Sequence, residues 1–173
     1  MFVLKDLPSY DTLDQFAINY HNPDVEGLQT WLLWASSTSA MMAAFEANIA
    51  RFGLSQTQFF VLLLLKRNPF GLSVGALAQG VGVTSQTMTR VLDRMERDQL
   101  CSKQADPKDR RAWLIVLTKE GDQLLGQALP AHYAWVAQLM SGFSSEERLA
   151  LQTTMEKTPE RVKALFESYK KTA

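Results

Sequence analysis

Gln86, Thr89, Arg90, Arg94 and Arg97 recur at helical spacing within one short segment of the chain. Glutamine and threonine side chains can hydrogen-bond a base edge, and a guanidinium suits a phosphate. Interleaved with them, Met88, Val91, Leu92 and Met95 fall at i, i+3, i+4 and i+7, an apolar stripe on the other side of the same helix. Lys108, Arg110 and Arg111 gather around Asp109 a little further on, after the turn-forming Asp106-Pro107. This chemistry recognises an anionic polymer rather than making or breaking bonds. No G-x-S-x-G elbow, phosphate-binding glycine loop or H-E-x-x-H pair occurs. The chain therefore reads as a non-enzyme that needs no cofactor. His21 and His132 stand far apart and Cys101 is the single cysteine, so neither a metal site nor an intramolecular disulfide is expected.

To present these side chains, the helix must be capped at its start and held from behind. Thr84 or Ser85 supplies the cap. Upstream, Ser73 to Gly82 reads as a short helix with Val74, Leu77 and Ala78 inward, closed by a tight turn at Gly80-Val81-Gly82. Downstream, Leu100 ends the apolar pattern and Cys101-Ser102-Lys103 begins a short strand. Ala112 to Leu117 is a second strand, with Trp113, Ile115 and Leu117 on one face. Helix, glycine turn and helix form a helix-turn-helix pattern, and a basic hairpin directly after it makes the unit a winged helix. On that reading Ser85, Gln86, Thr87, Thr89, Arg90 and Arg94 are the helix contacts to double-stranded DNA, with Gln86 and Thr89 as base readers near the helix start. The bland alternative is a solvated face, with Asp93–Arg97 and Arg94–Asp98 as supporting i, i+4 pairs.

The elements on either side follow from local signals. Ser9 after Pro8 caps a helix whose stripe is Leu13, Phe16, Ala17 and Tyr20. Asn22-Pro23 breaks it and is expected to start the next helix, with Asn22 as cap and Pro23 at the first position. That helix runs from about Asp24 to Arg51. It is apolar on more than one face, with Leu28, Leu32, Met42, Phe45, Ile49 and Phe52 joined by Trp31 and Trp34. Gly53 stops it and Ser55 caps a core helix from Gln56 to Arg67. Asn68-Pro69-Phe70-Gly71 is a turn, and Leu72 is expected to add an edge strand. Thr118 caps a helix from Lys119 to Met140, which Pro130 should kink. Ser144 and Glu147 form a capping box for the last helix, in which Thr158-Pro159 is expected to make a break.

Composition adds limits. The chain has 173 residues, of which 46% are hydrophobic and 21% charged, as in a globular protein. Neither a signal-peptide pattern nor an apolar run long enough to span a bilayer is present, so a cytoplasmic protein without a membrane partner is expected. The formal net charge is zero, which tells against strong non-specific DNA affinity. Within Arg90 to Arg111, acidic Asp93, Glu96, Asp98, Asp106 and Asp109 nearly balance the basic residues. A winged helix used only as a protein-interaction scaffold, without DNA binding, is the alternative this leaves open.

The segments LAQGVGVTSQTMTRVLDRME and DPKDRRAWLIVLTKEG, with GLSQTQFFVLLLL ahead of them, resemble the MarR family of bacterial transcription regulators. The resemblance implies a ligand-responsive repressor acting as a homodimer on a pseudo-palindromic operator. It also implies that Arg110 or Arg111 enters the minor groove from the wing tip, aimed by Asp109, with Lys108 beside them. The family commonly binds phenolic ligands, which suggests Trp31, Phe59, Trp113, His132 and Tyr133 as wall residues for a small aromatic effector. Core packing is the competing role for these aromatics. In the peroxide-sensing branch the reactive cysteine lies near the start of the first long helix. Cys101 lies elsewhere, so a cysteine-based redox sensor is a second alternative. The expected fold is mainly α with a small antiparallel β wing. Residues 1–52 and 119–173 would form a helical dimerisation region, and 53–118 the winged helix-turn-helix DNA-binding lobe.

Overall fold

The computed structural model describes residues 7–107 and 113–172. Its elements run α1 (Tyr10–Tyr20), α2 (Val25–Ala50), α3 (Gln56–Arg67), α4 (Val74–Val81), α5 (Ser85–Arg97), β1 (Cys101–Ala105), β2 (Trp113–Leu117), α6 (Lys119–Met140) and α7 (Ser145–Thr172). The chain divides into two compact units, residues 1–129 and 130–173, so α6 begins in the first and ends in the second.

The first unit is built around α3. Ser55 and Gln58 close a reciprocal capping box at its start, each side chain accepting from the other's backbone N–H. Phe59, Val61, Leu62 and Leu65 are fully buried. Around them pack Leu77 of α4, Met88 and Met95 of α5, Ile115 of β2 and Leu125 of α6, all buried. Phe45 of α2 meets Phe59 edge-on, with ring centroids 5.6 Å apart, and lies 5.5 Å from Phe60. On α1 only Leu13 and Ala17 of the apolar stripe are buried, while Phe16 and Tyr20 remain exposed.

β1 and β2 pair antiparallel with Cys101 opposite Leu117 and Ala105 opposite Trp113. The expected third strand is reduced to one bridge, between Leu72 and Ile115. Gly71, at φ +88°, makes that approach possible, because a Cβ there would lie 2.8 Å from the Ile115 carbonyl oxygen.

Several local expectations are corrected. The cap of α2 is Asp24, not Asn22: its carboxylate accepts from Gly27 N at 2.8 Å, and Asn22 Oδ1 instead accepts from Asp24 N at 3.0 Å. A charged acceptor at the N-cap is favoured by the helix dipole, and glycine at 27 leaves room for it, since a Cβ would overlap the Asp24 carboxylate. Gly80 belongs to α4 rather than to the turn, packing against Leu64; Gly82 alone turns left-handed, at φ 76°, and its N–H bonds back to Ala78. Arg97 donates to the backbone oxygen of Asp93 rather than pairing with its carboxylate. No break occurs at Thr158-Pro159, for α7 is one continuous helix. Proline removes a single backbone donor, and on an exposed helix water can satisfy the carbonyl left over. Thr158 Oγ1 bonds back to Thr154 O at 2.9 Å, within the helix rather than as a cap. In the second unit Ser144 and Glu147 do close their capping box, Ser144 N donating to Glu147 Oε2 at 2.7 Å.

Candidate nucleic-acid interface

α5 starts at a clean cap. Thr84 Oγ1 accepts from Thr87 N at 3.2 Å, which leaves the helix start open to solvent. Burial of Met88, Leu92 and Met95 fixes the rotation of the helix. With 3.6 residues per turn, Gln86, Arg90, Asp93 and Arg97 then fall on the face opposite the buried stripe. Ser85, Thr89 and Glu96 lie on one flank and Thr87 and Arg94 on the other. All of these residues are exposed. Thr89 Oγ1 donates to Ser85 O at 2.9 Å, so its hydroxyl is held within the helix. Gln86 carries the longest uncharged side chain on the outward face, as a base reader requires.

Two of the acidic residues that balance the local charge are engaged. Glu96 Oε1 accepts from the β1 amide of Lys103 at 3.3 Å, tying the helix flank to the wing. Asp98 stands 3.7 Å from Arg94, an exposed i, i+4 pair worth little in stability. Lys108, Asp109, Arg110 and Arg111 lie outside the described residues, so the structure places no wing-tip cation.

The junction between this lobe and α6 is tight. Thr118 Oγ1 donates to Gln99 O at 2.6 Å and accepts from Gly121 N at 3.0 Å. Gln99 adopts a left-handed φ of 59°, which turns the chain from α5 into β1. A Cβ at Gly121 would overlap the Leu100 carbonyl oxygen. Lys66 of α3 pairs with Asp122 at 2.6 Å on the same side. Sequence reasoning read Thr118 as a cap but missed Gly121. It also missed Gln58, which the S-x-x-Q spacing after Leu54 could have revealed.

The remaining candidates separate. Cys101 is buried at the start of β1, and burial, with Glu96 adding repulsion, pushes its thiol up to about 11. Burial therefore disfavours the thiolate that oxidation needs. Phe59 is fully buried, whereas Trp31 and Trp113 are exposed in the first unit and Tyr133 is exposed in the second. His132 stacks on Trp135, ring centroids 6.0 Å apart, and burial lowers its pKa, favouring the neutral imidazole.

The MarR family model matches residues 54–113, the segment from the start of α3 to the start of β2. YetL, an HTH-type transcriptional repressor of Bacillus subtilis (strain 168), is 34% identical over 146 residues, which cover 84% of this chain and 87% of YetL. The chain belongs to the MarR family. As a MarR-family protein it is a winged helix-turn-helix, DNA-binding transcription regulator, and α4 and α5 are its helix-turn-helix. Among solved structures, the transcriptional repressor CouR bound to a 23-mer DNA duplex superposes with a TM-score of 0.68 at 26% identity, covering 74% of this chain and 90% of CouR. AbsC from Streptomyces coelicolor, at 19% identity, shares the fold with a TM-score of 0.73, covering 79% of this chain and 94% of AbsC.

Proposed function

We propose that this MarR-family chain is a cytoplasmic, ligand-responsive repressor acting as a homodimer on a pseudo-palindromic operator. The observation that carries the reading is the capped, solvent-open start of α5, with Gln86 and Arg90 facing away from the core. Residues 53–118 form the reading lobe, with Ser85, Gln86, Thr87, Thr89, Arg90 and Arg94 as its helix contacts. Lys108, Asp109, Arg110 and Arg111 supply the wing contacts. The similarity to CouR, a repressor solved on DNA, supports this assignment.

Dimerisation through residues 1–52 and 119–173 rests on exposed apolar surface. On α1, Tyr10, Phe16, Ile18 and Tyr20 are exposed. On α7, Leu149, Met155, Val162, Leu165, Phe166 and Tyr169 are exposed, and no described side chain of that helix is buried. Surface of this kind marks an interface. A two-fold dimer sets its recognition helices about 34 Å apart, facing successive major grooves. Taken unit by unit, Trp31 and Trp113 in the first and His132 and Tyr133 in the second are separate candidate contacts for a small aromatic effector. Such a ligand releases DNA only by binding the DNA-incompetent state more tightly; a roughly 100-fold release needs about 2.7 kcal/mol of coupling.

Sequencing the fraction of a random-duplex library retained by the protein tests the reading. The expected result is an inverted repeat with half-sites about 10 base pairs apart, centre to centre. Gln86→Ala should flatten the preference at one position of each half-site by about 1–3 kcal/mol, for a lost bidentate contact. Thr89→Ala should relax it by less, its one hydroxyl already donating within the helix. A wild-type protein that retains no duplex even at low salt would be a protein-interaction scaffold.

A further inference from the structure

A cleft of about 190 Å³ lies between the start of α3 and one flank of α5, lined by Ser55, Gln58, Thr87, Arg90, Val91 and Arg94. Its lining holds donors and cations and no carboxylate. Gln58 is only 4% exposed. Its Oε1 accepts from Ser55 N at 2.9 Å and from Ser55 Oγ at 3.0 Å. Because the backbone N–H of Ser55 can only donate, the amide orientation is settled, and Nε2 is the atom left over. Among the described residues Nε2 has no acceptor. Gln58 is buried as a residue, but its Nε2 is not among the polar atoms sealed from solvent, so it is a fixed, accessible donor at a cleft lined by Arg90 and Arg94. The first backbone N–H groups of α3, at Gln56 and Thr57, have no acceptor within the helix and add positive potential at the same end.

We propose that this cleft seats one phosphodiester group of the DNA backbone, with Gln58 donating through Nε2 beside Arg90 and Arg94. The inference rests on the DNA-binding reading above and adds a contact from α3, outside the helix-turn-helix. A helix lying in the major groove has backbone phosphates along its flanks, and the cleft lies on the flank carrying Thr87 and Arg94. The contact is indifferent to sequence. It sets the register at which Gln86 meets the base edges.

Gln58→Glu tests the seat. Glutamate serves as well as glutamine in a capping box, so the thermal melting curve should be unchanged. The donor, however, becomes an anion facing the phosphate. Binding to the selected operator and to random duplex should weaken together by roughly tenfold or more, leaving their ratio unchanged. The salt dependence of log K should become shallower by about one unit. Arg94→Ala, which leaves the capping box intact, should produce the same change in slope. Wild-type affinity and slope in both variants would overturn the seat while DNA binding stood; a wild type that bound no duplex would instead remove the functional reading. Titration with inorganic phosphate at constant ionic strength separates the other source of the same chemistry. Saturable phosphate binding lost in Gln58→Glu, with DNA affinity unaffected, would assign the cleft to a free anion and overturn the proposal.

Discussion

Phe59→Ala is expected to destabilise the protein by about 3–5 kcal/mol, the range for truncating a buried phenylalanine. The ring is fully buried and touches Phe45 and Phe60, so its removal leaves a cavity at the join of α2 and α3. Urea unfolding at fixed protein concentration measures the loss, the concentration being held because the proposed dimer would contribute to apparent stability. The result also decides between two roles for this residue. A core ring must give the full loss. A ring that walls an effector site is already partly free of packing, and a loss below about 1 kcal/mol would place Phe59 there.

Gly121→Ala should be nearly as damaging, at about 3 kcal/mol, the upper end for forcing an added group into a packed site. The new methyl group would overlap the Leu100 carbonyl oxygen and approach Leu117 Cδ1 to 3.0 Å. A backbone oxygen cannot rotate aside as a side chain can, so α6 must shift against the end of the reading lobe. Gly126→Ala is the control within the same helix, because its Cβ would meet nothing within 4 Å. That substitution should stabilise the helix by up to about 1 kcal/mol. Thermal melts of the pair, with operator binding measured alongside, test the claim. Equal melting temperatures for the two variants would show that the junction at Gly121 has slack.

The order of elements was legible because each was announced locally. Ser9, Ser55, Thr118 and Ser144 read as caps and Thr84 as one of two candidates, and all five accept a backbone N–H three residues on. The stripe of Met88, Leu92 and Met95 fixed which side of α5 is buried, and with it the outward direction of Gln86 and Arg90. These relations span no more than two helical turns, so the sequence alone determines them.

Where two local signals competed, sequence was a weaker guide. Asn22-Pro23 read as the helix start, but the cap fell to Asp24, whose carboxylate reaches an unobstructed glycine N–H. Pro159 reads as a stop, yet on an exposed helix one missing donor is too small a penalty to end it. Tertiary structure alone decided the contacts between distant positions. Lys66 meets Asp122, Thr118 reaches Gln99, and Gln58 borders a cleft with Arg90 and Arg94. None of these has a periodic signature, because each depends on where separate helices are held once their apolar faces are buried. Residue types therefore announced the helix proposed to read DNA, while packing determined which neighbours stand beside it.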